Sequence, residues 1–346
     1  MSKPPSSEQA DAEQIILSRQ AVENWQRLRP NSPEPRRVTQ LSRKRRRVVY
    51  RLEGVGPGDS AVIAKRCPRE SAELEAFIYN EVLSQLPLQC VQCYGVVSEH
   101  DDQYSWLFLE DGGTTTLGDL TESVPTAISH CLGVLHSSTS ATQTLARRLP
   151  DRSPAYYLAT LRTARQGIEE TLSKPDVRDE DRAGLENLVS CLEMVEDGWD
   201  GVSQRCAALP WSLVHGDFQL KNVLARRSTT GFNLLTIDWE YAGWGPPAVD
   251  LARLELAASA LDRASTDPYA RWCAEIDCAS YWHAVQGTWP GVELRDVEEQ
   301  ARCGMLFKWL AAVGWETERL RVGSWRAQHL GMYVPLVRAS AQILGL

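Results

Sequence analysis

The sequence predicts an α/β (α+β) protein in two parts: a small antiparallel sheet, then a larger and mainly helical region. Three observations predict it. Residues 37–109 alternate short apolar runs with polar turns and are interrupted by one helical pattern. From Leu117 onward apolar residues recur chiefly at helical spacing. Within that helical part, Leu213-Val-His-Gly-Asp-Phe-Gln-Leu-Lys-Asn-Val-Leu224 and Leu234-Leu-Thr-Ile-Asp-Trp-Glu240 read as strand, tight polar turn, strand, loop and strand.

Composition narrows the function classes. The chain has 346 residues, enough for two ordinary domains or one two-part unit with an ample core. A net charge of -8 disfavours nucleic acid and anionic membranes and suits a cationic substrate. No apolar run approaches the roughly 20 residues of a membrane span, and Met1-Ser-Lys-Pro-Pro is no signal peptide. Nine cysteines without a secretory signal read as reduced thiols in a cytoplasmic protein, and Cys90-Val-Gln-Cys93, lacking a second pair, reads as structural.

The elements follow in order. After a polar start, a helix from Ala12 to about Arg27 carries an apolar stripe of Ile15, Ile16, Ala21 and Trp25, and Pro30-Asn-Ser-Pro-Glu-Pro35 ends it. Strands are expected at Arg37–Leu41, Val48–Glu53 and Ser60–Lys65, with a basic turn Ser42-Arg-Lys-Arg-Arg-Arg47 and a plain hairpin turn Gly54–Gly58 between them. A helix Ser71–Leu83 and strands Val91–Val97 and Trp106–Leu109 complete this part; His100 sits on the polar tip between those strands. Helices are expected over Thr126–His136, around Tyr156–Leu161 and Ala183–Leu192, and from Asp250. The charged segment Lys174–Asp181 separates the middle pair. Trp272, Trp282, Trp289, Trp309, Trp315 and Trp325 fall in the C-terminal third, where most are expected in the core. The expected divisions are 1–32 (tail and helix), 33–110 (sheet part) and 111–346 (helical part).

The chemistry is carried by Asp217, Asn222 and Asp238. A carboxylate beside a hydroxyl orients it and takes its proton, while hard oxygen donors such as Asp and Asn suit magnesium. The spacing Asp-x-x-x-x-Asn with a later Asp is that of the kinase phosphoryl-transfer arrangement. His215-Gly-Asp-Phe-Gln-Leu-Lys-Asn222, Ile237-Asp-Trp-Glu240 and Gly243-Trp-Gly-Pro-Pro-Ala-Val-Asp-Leu-Ala252 together resemble the aminoglycoside phosphotransferase family, which is related to choline kinases and more distantly to protein kinases.

The resemblance spans about residues 38–330 and implies a bilobal, protein-kinase-like fold. It implies that Lys65 grips the α- and β-phosphates of ATP, held by Glu75 of Glu-x-x-x-Tyr79, with Glu73 as the alternative. It puts the phosphate-covering loop at the turn Ser42–Arg47, with Ser42 and Arg43 as nucleotide contacts, although the usual glycine and asparagine are missing there; its basic side chains either contact phosphate or form a solvated surface. Glu110 begins the hinge segment whose backbone would bond adenine. Asn222 and Asp238 would hold Mg2+, Asp217 would be the catalytic base, and His215 and Asp250 would shape and anchor the loop. His136 is expected to be packed at a helix end. Gln219 stands where protein kinases carry a lysine, and Lys221, where this family often has glycine, points either to phosphate or to solvent.

The expected function is ATP-dependent transfer of the γ-phosphoryl group to a hydroxyl of a small polar, cationic acceptor. An aminoglycoside or related antibiotic is the first expectation, implying resistance by O-phosphorylation; choline, ethanolamine, homoserine or a sugar is the alternative. A nucleotide-binding pseudokinase module would lack part of the set Lys65, Asp217, Asn222 and Asp238, and a metallohydrolase would need a His/Asp cluster that does not accompany His215.

Overall fold

Alternation along Arg47–Glu53 dictates the first sheet: Val48, Tyr50 and Leu52 are buried while the residues between them are half-exposed. The computed structural model describes residues 7–44, 46–100, 103–113, 124–175, 177–228, 231–252, 276–321 and 328–346. Contacts divide the chain into two units, Met1–Asp119 with Asn222–Tyr241 and Leu120–Lys221 with Ala242–Leu346.

The first unit is built on five antiparallel strands in the order β1-β2-β3-β5-β4. They are β1 (Arg37–Lys44), β2 (Arg47–Glu53), β3 (Val62–Pro68), β4 (Cys93–Ser98) and β5 (Tyr104–Glu110). Lys65 of β3 lies between Val49 of β2 and Leu107 of β5 in the ladder. The β2–β3 connection is the expected turn, closed by a single 3-10 turn at Pro57–Asp59. The β1–β2 connection is much shorter than expected. Ser42, Arg43 and Lys44 pair with Val49, Val48 and Arg47 after a bulge at Leu41, so the basic run is mostly strand.

Helix α1 (Ser7–Leu28) packs on this sheet. Its buried line contains Ala21 and Trp25 of the expected stripe, with Leu17 and Leu28 partly covered, whereas Ile15 and Ile16 are exposed. Trp25 meets Phe108 and Tyr94 at ring-centroid distances of 5.4 and 5.5 Å. The expected helix Ser71–Leu83 is helix α2 (Arg69–Phe77), continued by a widened π turn at Ile78–Val82 and a 3-10 turn at Leu83–Gln85. The widened turn keeps Ile78, Tyr79 and Val82 on the buried side. A hairpin of β6 (Val223–Ser228) and β7 (Gly231–Thr236) also belongs to this unit, and its Leu224 and Leu235 lie against Gly112.

In the second unit the helices are α3 (Val124–Ser140), α4 (Gln143–Ala146), α5 (Pro154–Leu172), α6 (Asp179–Asp197), α7 (Trp199–Cys206), α8 (Cys278–Val285), α9 (Leu294–Arg321), α10 (Gln328–Gly331) and α11 (Val334–Leu344). One apolar cluster joins α5, α6, α7, α9 and α11, with Tyr157 stacked on Phe307 at 4.2 Å. The strand Ser212–Val214 pairs with an unanticipated short strand, Gly243–Gly245, which also bridges to Asp151. Gly304 of α9 lies so close to the turn at Pro247–Val249 that a Cβ there would meet the Ala248 carbonyl and stand 3.0 Å from Ala252 N.

Trp289 and Trp309 are core residues, and Trp282 donates its indole N–H to Val292 O, whereas Trp315 is exposed. Trp272, Trp325, Leu117, Arg45, the tip residues Asp101 and Asp102, Asp176 and the helix expected beyond Asp250 over 253–275 lie outside the described residues. Cys90 and Cys93 are free thiols and join no metal-competent group among the described residues. No described helix is long and apolar enough to cross a membrane.

Candidate active site

The first unit gathers charge around Lys65. Its side chain comes off the inner face of β3, where its neighbours are apolar, and burial alone would favour a neutral amine. Lys65 Nζ donates to Glu75 Oε1 at 2.5 Å and to Asp238 Oδ1, and Glu240 Oε2 stands 3.8 Å away. Burial pulls the lysine pKa down, but Glu75 and Asp238 outweigh it and the value is raised above that of an ordinary lysine. Burial likewise raises Glu75, only partly offset by Lys65 and reinforced by Asp238. Glu73, the alternative, instead pairs at 2.7 Å with Arg69 on the exposed side of α2.

Oxygens of Glu75, Asp238 and Glu240 all lie within 4.8 Å of one another, a spacing that would also suit a metal ion. Here the lysine ammonium fills that role, bonded to two of the three acids. Arg47 adds a second cation: its guanidinium pairs with Glu240, donates to Tyr241 Oη at 3.0 Å and lies 5.5 Å from that ring. Three carboxylates thus face two cations, and Glu75 Oε2 has no hydrogen-bond partner among the described residues. Such a group is poor as a source of stability, and its value lies in fixing Lys65 and Asp238.

Asp238 follows β7 by two residues and has φ 68°, the left-handed region that Asp tolerates better than most side chains. Ile237 N donates to Asn222 O at 2.9 Å, which ties the start of β6 to the residue before Asp238. Asn222 is buried and Asp238 half-buried. Asn and Asp are the hard-oxygen residue types that magnesium takes, and Asp238 shares with Glu75 and Glu240 an oxygen spacing that a cation suits.

The second unit holds the loop after Val214. Asp250, 3 % exposed, accepts from His215 N at 2.6 Å and Gly216 N at 3.0 Å, and its Oδ2 lies 3.2 Å from His136 Nε2. His136 Nδ1 in turn lies 2.9 Å from Tyr281 Oη. This buried network pins the turn at Gly216, whose φ of 79° is the conformation that glycine permits. On the turn, Asp217 Oδ1 accepts from Gln219 Nε2, and Lys221 Nζ lies 3.7 Å from Asp217 Oδ2.

The remaining expected residues are engaged elsewhere. Ser42 is in the β1–β2 ladder, and Arg43 pairs with Glu13 of α1 at 2.6 Å. Glu110 donates its N–H to Gln92 O at 2.8 Å, and its carboxylate accepts from Gln92 N at 3.0 Å and pairs with Arg226 at 2.9 Å. Arg47 is expected from the sequence only as one of the basic side chains of the turn Ser42–Arg47, and Glu240 carries no expected role. The signal for Glu240 was an acid two residues after Asp238 beside a tryptophan; nothing local marked Arg47 apart from its neighbours.

The sequence profile described as "Phosphotransferase enzyme family" matches residues 37–312. No curated protein matches at a significant level. Among solved structures, the GDP complex of aminoglycoside 2'-phosphotransferase-IIIa is similar with a TM-score of 0.62 and 13 % identity over 94 % of this chain and 99 % of that one. Choline kinase from Cryptosporidium parvum gives 0.58 and 12 % over 96 % of each chain. Plasmodium vivax ethanolamine kinase gives 0.55 and 14 % over 89 % of this chain and 83 % of that one. At these identities the likeness is one of fold, and the fold is protein-kinase-like with a small antiparallel sheet and a larger, mainly helical part.

Proposed function

Since the chain belongs to the phosphotransferase enzyme family, we propose that it transfers the γ-phosphoryl group of ATP to a hydroxyl of a small, polar, cationic acceptor. The observation that carries the proposal is the meeting of buried Lys65 and Glu75 with half-buried Asp238, from positions 10 and 173 residues apart. A fold has little structural reason to bury Lys65 and Glu75 beside a third charged group, but a site that must grip a polyphosphate has one.

In this reading Lys65, oriented by Glu75, holds the α- and β-phosphates. Asn222 and Asp238 hold Mg2+, which when bound offsets phosphate charge. Asp217 accepts the hydroxyl proton as the acceptor oxygen bonds to the γ-phosphorus and ADP leaves. Gln219 fixes one carboxylate oxygen, and the Asp250 network fixes the loop from which Asp217 projects. Glu110 and the segment after it would meet the adenine through backbone groups, and Ser42 and Arg43, at the β1–β2 end of the sheet where Arg43 pairs with Glu13, would lie over the phosphates. The net charge of -8 supports a cationic acceptor. An aminoglycoside or related antibiotic is the first candidate, making the enzyme a resistance factor in the cytoplasm. Choline or ethanolamine is the second, favoured by the fold likeness to kinases bearing those names.

The test is a screen of aminoglycosides, amino alcohols and sugars with γ-labelled ATP, run beside Asp217→Ala. Label should appear on one acceptor class, and the variant should lose transfer while binding MgADP as wild type does. Failure of the wild-type chain to bind nucleotide, or equal loss of transfer and binding in the variant, would remove the reading.

A further inference from the structure

The sequence leaves the basic turn Ser42–Arg47 open between two roles, phosphate contact and solvated surface, and strand register sets Arg47 apart from the rest. Val49 of β2 pairs with Lys65 of β3. Paired residues share a face of a sheet, as do residues two apart on one strand, so Arg47 and Lys65 lie on one face. The opposite face carries Val48, Tyr50, Leu52, Val62 and Ala64, which cluster with Ala21 and Trp25 of α1. Arg47 therefore turns away from α1 and toward the acids around Lys65.

Glu240 joins the two cations, and all three residues belong to the first unit. Arg47 Nη1 pairs with Glu240 Oε1, while Lys65 Nζ stands 3.8 Å from Glu240 Oε2. The two positive groups are thus set apart by the width of one carboxylate, a spacing that neighbouring oxygens of a phosphate chain also match. Arg47 Nη2 donates to Tyr241 Oη at 3.0 Å, which holds the guanidinium in this orientation. Stability is a poor reason for the arrangement. The Glu240 side chain is 1 % exposed and neither of its oxygens has a regular hydrogen-bond partner among the described residues, so ion pairing repays its desolvation only in part. Arg47 keeps 22 % of its side chain exposed, and its five-donor fork is the shape that phosphate oxygens take.

We propose that Arg47 is a second phosphate-binding cation, gripping the nucleotide's phosphate chain beside Lys65, and that Glu240 tempers the charge of both. The inference rests on the phosphotransferase reading above and adds one binding residue to it. No covalent bond changes and no proton moves: phosphate oxygens share the guanidinium with Glu240 and Tyr241. A negative charge next to the incoming phosphates opposes them, so Glu240 makes the site weaker for bare phosphate than its two cations alone would.

The experiment compares wild type, Arg47→Gln and Glu240→Gln by calorimetric titration with adenosine, MgADP and metal-free ADP, so that no acceptor is assumed. Arg47→Gln, whose amide can still donate to Glu240, should weaken MgADP about 10- to 100-fold, as loss of a hydrogen bond to a charged group does, and leave adenosine within about twofold. Glu240→Gln keeps an acceptor for Arg47 and removes the opposing charge. It should tighten metal-free ADP at least about threefold, the lower bound for a unit charge roughly 6 Å off in a water-like medium. A purely structural ion pair predicts neither the dependence on phosphate nor the opposite signs. Arg47→Gln protein that loses adenosine and MgADP equally, or loses neither, overturns the proposal. So does Glu240→Gln protein that binds metal-free ADP no more tightly than wild type, and this arm decides alone if Arg47→Gln does not fold. Wild-type protein that binds neither adenosine nor MgADP defeats the functional reading itself, and this inference with it; wild type that binds MgADP, with both variants unchanged, defeats this inference alone.

Discussion

Replacing Asp250 by alanine exposes how the loop before Asp217 is held. The side chain is 3 % exposed and receives two backbone N–H groups, His215 N at 2.6 Å and Gly216 N at 3.0 Å, besides facing His136 Nε2 at 3.2 Å. Water cannot readily replace it at His215, which is fully buried. Each buried donor left without an acceptor costs about 1–3 kcal/mol, so Asp250→Ala should destabilise the protein by about 2–6 kcal/mol. Asp250→Asn keeps one carbonyl oxygen but turns an NH2 toward the other donor, and should lose about half as much. Urea unfolding followed by far-UV circular dichroism reads both, as a lower midpoint at constant slope. The turn at Gly216 should loosen as well, lowering kcat of the asparagine variant below wild type even where it is fully folded. An alanine variant within about 0.5 kcal/mol of wild type would mean that the two N–H groups find other partners, and the anchoring argument would fail.

The acid-rich surroundings of Lys65 predict an asymmetry: Lys65→Met should cost about 3–5 kcal/mol by leaving buried carboxylates uncompensated, whereas Glu75→Gln should stay within about 1 kcal/mol, both by chemical denaturation. Because the folded pKa of Lys65 is raised, its contribution is present below the ordinary value of 10.5 and is lost only as pH rises through the folded value, so the Lys65→Met deficit should be the same at pH 7 and pH 9. Asp277 caps α8 by accepting from Ala279 N at 3.1 Å and Ser280 N at 3.4 Å, and Asp277→Ala should cost about 1 kcal/mol at pH 7. Chiefly its bond from the Ser280 hydroxyl lowers its pKa, so that stability is present above the ordinary value of 3.8 and fades as pH falls through the folded one; a deficit that grew in acid would contradict the cap. Gly304→Ala pushes a methyl at the Ala248 carbonyl and Ala252 N, and a loss of about 1–3 kcal/mol should appear in its unfolding midpoint.

Much of this was legible because it is local. The period-two pattern of Val48, Tyr50 and Leu52 and the polar turn between Val214 and Val223 follow from covalent geometry and burial, which act within a few residues. Lys65 with Glu75 came from a resemblance, yet their 2.5 Å contact depends on β3 and α2 being neighbours in the chain as well as in space. The misread parts depend on distant partners. Ser42–Lys44 look like a loop because they are charged, but an edge strand with exposed side chains tolerates charge, and the pairing with Arg47–Val49 decides the matter. Arg47 finds Glu240 and Tyr241 194 residues away at most, and His136 finds Tyr281 145 away; no window of sequence contains such pairs. In helix α1, Ile15 and Ile16 leave the buried stripe for a related reason. Ile15 and Ile16 are the more hydrophobic residues, but the sheet offers its recess at Trp25 and Ala21.

The uneven charge around Lys65 has a consequence for how ligands would arrive. With three acids sharing that ammonium and Arg47, a phosphate chain that recruits the lysine removes the counter-ion that keeps Asp238 company. Bare triphosphate would then be repelled by the acid it uncovers, whereas triphosphate escorted by a divalent ion would bring a replacement. On the proposed reading, entry of the two would be one event, and neither should saturate the protein well alone.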